Sequence, residues 1–179
     1  MIKIILPLLL VFSACNLKEV YKPINAQQQD TLQCVKFEHP TKVFTLDVPA
    51  GWGKPHKFKY NPNVFSFYPS QTAEFTVSIS QNLNLPAELP AGVAKMMFPE
   101  ETSFTELKRN SGEGWNSISQ DYKGTKKGKP WAWLAVFYGT GSNAIAITLS
   151  DSAESINSHK ELFERTVNSI AFSKKASGK

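Results

Sequence analysis

Trp131-Ala-Trp-Leu-Ala-Val-Phe-Tyr138 decides the fold class, because it is apolar on both of its faces. In an extended chain successive side chains point to opposite sides. Trp131, Trp133, Ala135 and Phe137 therefore share one side, and Ala132, Leu134, Val136 and Tyr138 the other. A strand with no wet face belongs in the middle of a sheet covered on both faces. The stretches around it alternate instead. After the turn Gly139-Thr-Gly-Ser-Asn143, the chain pairs back with Ile145, Ile147 and Leu149 on one face. Phe75, Val77 and Ile79 alternate with Thr76, Ser78 and Ser80; Phe44, Leu46 and Val48 alternate with Thr45 and Asp47 until Pro49-Ala50-Gly51 stops them; Phe65 and Phe67 flank Ser66. Each reads as a half-buried strand. A weaker run with Phe104 and Leu107 leads to a turn at Asn110-Ser-Gly-Glu-Gly114, and residues 115–122 return with Ile118 and Tyr122 apolar. Residues 123–130 read as a loop rich in glycine and lysine.

Two stretches carry helical spacing. Residues 90–98 place Val93, Met96 and Met97 on one side, with Pro90 in the first turn and Pro99 as the stop. In residues 151–170, Ile156, Phe163, Val167 and Ile170 recur at helical intervals with Leu162 beside them. Asp151 followed by Glu154 resembles a capping box, and Glu161 stands four residues before Arg165. Antiparallel strands with few helices imply an α+β domain, a central antiparallel sheet flanked by helices.

At 179 residues, 41% of them hydrophobic, the chain suits a single globular domain. No apolar run approaches the ~20 residues that span a bilayer. Twenty basic residues exceed fifteen acidic ones by five, yet only Arg109 and Arg165 are arginine. Nucleic-acid sites favour the planar guanidinium fork, so no nucleic-acid partner is expected. Two cysteines cannot build a disulfide framework.

The start of the chain is the most specific signal. Lys3 supplies a positive charge, residues 4–12 are apolar, and Ser13-Ala14-Cys15 closes the run with small residues. This is the layout of a secretory signal peptide rather than a membrane span. Phe12-Ser13-Ala14-Cys15 resembles the bacterial lipobox, although leucine is commoner where Phe12 stands. The resemblance implies that the Cys15 thiol receives a diacylglyceryl group, that residues 1–14 are removed, and that the new amine is acylated. Removing 14 residues from 179 leaves a mature chain of 165, anchored by two or three acyl chains. Asn16 follows Cys15, so the aspartate that retains some enterobacterial lipoproteins at the inner membrane is absent. Residues 15–31 read as the lipidated cysteine and a flexible tether of roughly 20 Å span. The domain then occupies residues 32–172, and residues 173–179 form a basic, disordered tail. With Cys15 lipidated, Cys34 is either a free thiol or, as is expected of a small hydrophobe, buried.

No catalytic constellation is evident. A nucleophile needs a nearby base oriented by a third group, and Gly139-Thr-Gly-Ser142 reads as a turn rather than a nucleophile elbow. His159 reads as packed or partly exposed within the last helix, and His39, before Pro40, as an exposed loop residue. No metal-ligand spacing, phosphate-cradling loop or cofactor motif appears; Glu38-His39 would need a distant acid to hold a metal. Two basic clusters remain. Lys54, His56, Lys57 and Lys59 lie among Trp52, Phe58 and Tyr60; Lys123, Lys126, Lys127 and Lys129 precede Trp131. Lysines beside aromatics can hold an anionic sugar, a phospholipid headgroup or an acidic partner. The plain alternative is a pair of solvated loops whose aromatics close the core edge. Clusters at one end of the sheet would favour a binding surface.

Phe44-Thr-Leu-Asp-Val-Pro-Ala-Gly-Trp52 resembles the opening strand and Pro-x-Gly-Trp turn of the PsbP-like fold. Residues 145–172, ending in Leu162-Phe-Glu-Arg-Thr-Val-Asn-Ser-Ile-Ala-Phe172, resemble its closing helix and last strand. That superfamily includes a photosystem subunit, a yeast Ran-binding import factor and bacterial envelope lipoproteins. The resemblance implies an α/β/α sandwich and fixes no function. Together these readings predict a lipid-anchored protein of the bacterial envelope, facing the periplasm or the exterior. Its domain would be a non-catalytic binding or assembly module for an envelope protein or anionic ligand. An envelope hydrolase or metal-dependent enzyme with scattered loop residues, and a small-ligand carrier, are the alternatives.

Overall fold

A computed structural model of the chain describes residues 33–81, 103–105 and 108–173. In chain order these form β1 (Cys34–Glu38), β2 (Phe44–Pro49), a 3-10 turn (Ala50–Trp52), β3 (His56–Lys57), β4 (Val64–Phe67) and β5 (Glu74–Gln81). Then come β6 (Ser103–Phe104), β7 (Lys108–Gly112), β8 (Trp115–Lys126), β9 (Lys129–Thr140), β10 (Asn143–Ser152), α1 (Ile156–Asn168) and β11 (Ala171–Phe172). The expected signal sequence, lipidation site at Cys15, tether, helix at residues 90–98 and tail residues 174–179 lie outside the described residues.

Strand makes up 57% of the described residues and helix 14%, which overturns the expected helix-flanked α/β/α sandwich. Two antiparallel sheets form instead, one ordered β1-β2-β11 and one ordered β3-β4-β5-β10-β9-β8-β6, with β7 also pairing with β8. Alternation in residues 44–48 specifies a strand with one buried face, but not which sheet that strand joins. Its buried face packs sheet on sheet. Phe37 of β1 lies 5.4 Å from both Phe65 and Phe67 of β4 by ring centroid, so a β layer covers part of the larger sheet. The helix α1 completes that layer with Ile156, Phe163 and Val167, and Phe163 lies 6.2 Å from Phe75. Each fully buried aromatic such as Phe75 contributes about 1.5–3 kcal/mol by leaving water.

The two-faced reading of residues 131–138 holds. Ala132, Leu134 and Tyr138 of β9 enter the main core, while Trp133, Ala135 and Phe137 join Tyr122 in a second cluster on the other face. Other expectations fail locally. Residues 123–130 are not a loop: β8 and β9 pair as far as Lys126 and Lys129. Lys127 and Gly128, at φ 54° and 73°, make a two-residue turn. Both angles suit the primed hairpin turns, which match the twist of paired strands. Residues 110–112 likewise continue β7, leaving only Glu113 and Gly114 to turn. Asp151 does not cap the helix. It lies in β10, one residue before its end, and α1 begins after Ser155, which makes no side-chain cap bond.

Register fixes which end of the large sheet each connection occupies. Glu74 pairs with Ser150, Ser150 with Trp133, and Trp133 with Tyr122. The β8–β9 turn thus lies beyond the end of β10 and the start of β5. The chain enters at that same end: Ala50 N–H donates to the Gln33 carbonyl at 2.9 Å, and Tyr68 N–H, just past β4, to the Trp52 carbonyl at 3.2 Å. The opposite end holds the loop between β3 and β4, His39, and Ser173, whose N–H donates to the Val43 carbonyl at 2.8 Å.

Candidate functional site

The two basic clusters do not meet. β4, β5, β10 and β9 separate β3 from β8, five strand spacings or roughly 24 Å across the sheet. Lys54, His56, Lys57 and Lys59 are all exposed. They divide between the ends: Lys54 follows Trp52 at the end where the chain enters, and Lys57 and Lys59 run toward the opposite one. Trp52 is 2% exposed and serves the core, as the plain alternative for this aromatic required. Tyr60, by contrast, is 84% exposed, with the Lys59 Nζ 5.4 Å from its ring centroid. The His56 ring packs edge-on to Tyr68 at 5.3 Å.

The second cluster is compact. Lys123, Lys127 and Lys129 are exposed, and the half-buried Lys126 sets its Nζ 4.5 Å from the centre of the half-buried Trp131 ring. Burial holds the Lys126 amine below the ordinary lysine range; Glu74 and Asp151 oppose that shift and the Lys127 charge reinforces it. The Trp131 indole nitrogen is buried without a hydrogen-bond partner. Ala153 N–H donates to the Pro130 carbonyl at 3.2 Å, tying the start of the α1 connection to the base of the hairpin. Glu74 escapes a reading of the sequence because only register places β5 beside β10 and β9. Its carboxylate accepts from the Ser66 hydroxyl at 2.8 Å, on the sheet face that Trp133 shares. The hairpin itself was signalled by Lys127-Gly128 between two stretches rich in strand formers.

Two of the three histidines, His39 and His159, are packed into the domain. His39 is 0% exposed, which corrects the expectation of an exposed loop residue. Its ring stacks on Phe44 at 5.2 Å and meets Phe65 edge-on at 5.3 Å. Nε2 faces the Asn63 carbonyl at 3.4 Å, while Nδ1 lies 2.8 Å from the Thr41 hydroxyl and 3.3 Å from the Thr41 N–H. That partner set fits the neutral ring protonated on Nε2, and burial lowers the pKa of His39 accordingly. His159 Nε2 lies 3.3 Å from Oδ2 of the fully buried Asp151, whose Oδ1 accepts from Ser152 N–H at 2.7 Å. Oδ2 has this ionic contact but no well-aligned hydrogen bond. Among the described residues, no group of three or more His, Cys, Asp or Glu side chains could hold a metal ion. Cys34 is exposed on β1, which corrects the expectation that it is buried: alternation turns Phe37, not Cys34, into the core.

An open groove of about 490 Å³ runs between α1 and β8. Ser117, Ser119 and Val136 form its floor, and Lys160 and Glu164 one wall. Lys160 pairs with Asp121 across it at 3.6 Å. Its mixed lining offers hydrogen bonds and a small apolar floor, without the deep apolar enclosure that a lipid carrier would need.

The sheet order and closing helix define the class first: the described residues have the PsbP-like fold. The solved structure of cyanobacterial PsbP (CyanoP) from Synechocystis sp. PCC 6803 matches with a TM-score of 0.64 at 13% identity, covering 90% of this chain and 99% of that one. LpqN of Mycobacterium tuberculosis, described as involved in cell envelope biogenesis, matches at 0.55 and 12% identity, covering 80% of this chain and 92% of that one. PA94 of Pseudomonas aeruginosa, a protein of unknown function, matches at 0.53 and 15% identity, covering 80% and 99%. No protein-family model and no curated protein matches the chain. At these identities the likeness is one of fold. No helix among the described residues is long and apolar enough to cross a membrane.

Proposed function

We propose that the chain is a bacterial envelope lipoprotein, held by acylated Cys15, whose PsbP-like domain is a non-catalytic binding or assembly module. The observation that carries this reading is the pairing of a lipobox-like Phe12-Ser13-Ala14-Cys15 with a fold found in LpqN, itself linked to envelope biogenesis. The arrangement of the histidines supports the non-catalytic part. His39 has both ring nitrogens engaged inside the core, and His159 faces a buried carboxylate. Under this reading the domain works through its surface, and its partner is an envelope protein or an anionic ligand.

Fractionation of cells producing Cys15→Ser tests the anchor. The variant is expected to leave the membrane fraction and to lose incorporation of labelled palmitate; retention with label overturns the lipoprotein reading. Cross-linking in intact envelopes tests the module. A defined cross-linked partner is expected, and recovery of the chain uncross-linked under every condition overturns the assembly role.

A further inference from the structure

Among the described residues, the β8–β9 hairpin is a compact exposed charged surface at the end of the large sheet where the chain enters. Gln33 lies at the same end of the large sheet as the Lys126-Lys-Gly-Lys129 turn, whereas Lys57, Lys59 and the exit at Ser173 lie at the other. Cys15 stands eighteen residues before Gln33, so even a fully extended connection reaches no more than about 65 Å. A domain anchored through Cys15 is therefore tethered from its hairpin end.

The hairpin's chemistry suits that position. Lys123, Lys126, Lys127 and Lys129 fall within seven residues, and no acidic residue occurs between Asp121 and Asp151. Among the described residues the acidic groups nearby are few: Asp151 is buried against His159, Asp121 pairs with Lys160, Glu74 accepts from Ser66, and Glu154 is exposed next to Ala153. The two-residue turn, with backbone pairing up to Lys126 and Lys129, fixes the backbone from which the four lysines project and lowers the ordering cost of contact. Trp131, half-buried beneath Lys126, is the aromatic type that favours the boundary between headgroups and water.

We propose that this lysine hairpin docks on anionic phospholipid headgroups of the membrane that carries the anchor. The inference rests on the lipoprotein reading and adds to it an orientation and a ligand class. Acyl chains confine the protein to the membrane, and the hairpin then selects one pose, with the groove beside α1 and the Lys57–Tyr60 surface left free for other partners. A lysine near an anionic surface gains roughly fivefold in local binding, an effect that salt weakens.

The acylated full-length protein, reconstituted in phosphatidylcholine vesicles with or without phosphatidylglycerol, provides the test. Amine-reactive footprinting, quantified lysine by lysine, is expected to show about fivefold lower labelling of Lys123, Lys127 and Lys129 when phosphatidylglycerol is present, reversed by high salt. Lys57 and Lys59, at the opposite end, should not change. Equal labelling in both vesicles overturns the proposal. So does protection of the hairpin in native envelopes but not in phosphatidylglycerol vesicles, an outcome that identifies an acidic protein as the partner. Failure of the anchor itself is read separately, from the fractionation of Cys15→Ser.

Discussion

The Nε2 of His39 faces the carbonyl of Asn63 at 3.4 Å, joining the β1–β2 turn of the small sheet to the β3–β4 loop of the large one. Because the ring is buried and held neutral, its pKa in the folded chain lies below the ordinary 6.5. Between that lowered value and 6.5 the unfolded chain binds a proton that the folded chain does not. Stability from this site is thus complete above about pH 6.5 and falls as the pH drops below it. Urea denaturation at about pH 5 and about pH 7.5 should show the loss. His39→Leu, which strands the Thr41 and Asn63 groups, should cost about 1–3 kcal/mol at neutral pH and flatten the acid slope. A wild-type slope unchanged by the substitution would sink the assignment.

Two tyrosines mark the opposite limit of pH. Burial pushes Tyr122 and Tyr138 from 10.0 up to about 12, with the Asp121 charge a further cause at Tyr122. A raised acid stabilises the fold fully below its unfolded value. Stability from both rings is therefore present below pH 10.0 and lost as the pH rises toward about 12. A tyrosinate absorbance titration should show a late component near that value, and Tyr138→Phe should reduce it. The same substitution removes a hydroxyl that donates to the Val167 carbonyl of α1 at 3.4 Å, so a loss of about 1 kcal/mol should accompany it.

What the sequence makes legible here follows from the range of each signal. Alternation is local, so residues 44–48, 75–79 and 131–138 read correctly as strands, and Ile156, Phe163 and Val167 as the buried stripe of a helix. Partner choice is not local. The pairing of β2 with β11 rather than with the large sheet joins residues 126 apart in the chain, as Ala171 opposite Thr45 shows. No local pattern spans that distance, so the sequence does not show that β1, β2 and β11 form a layer. The lysine surface was legible as composition, because four lysines precede one tryptophan. Its division from Lys57 and Lys59 was not, since only strand order puts β3 at one edge. His39 misled because a histidine before proline looks exposed, and its burial comes from Phe44 and Phe65, which the sequence does not place beside it.

Asp151 and His159 couple the end of β10 to the first turns of α1. Asp151 is 0% exposed, so removing its counter-group leaves a buried carboxylate facing less compensation. His159→Ala should cost about 1–3 kcal/mol, and Asp151→Ala about 2–4 kcal/mol because the Ser152 N–H loses its acceptor as well. If the contact is energetically real, the double variant loses less than the two singles together, by about 1 kcal/mol. Strict additivity in chemical denaturation of the four proteins would show that the 3.3 Å approach carries no coupling.

Two glycines at hairpin turns separate steric crowding from backbone strain. A Cβ at Gly112 would lie 2.5 Å from the Trp115 indole, which also meets Tyr138 at 5.8 Å and Phe172 at 6.1 Å. Gly112→Ala must therefore displace a ring that closes the core beside β11, at a cost of about 1–3 kcal/mol, with a change in tryptophan emission as that ring moves. Gly128, in the lysine hairpin, has nothing within 4 Å of a built Cβ, but its φ is +73°. There Ala meets only the left-handed backbone penalty of about 1 kcal/mol, and emission from Trp115 should stay unchanged because the two turns lie at opposite ends of β8. Equal emission changes in the two variants would mean that Gly112 is not held by the indole.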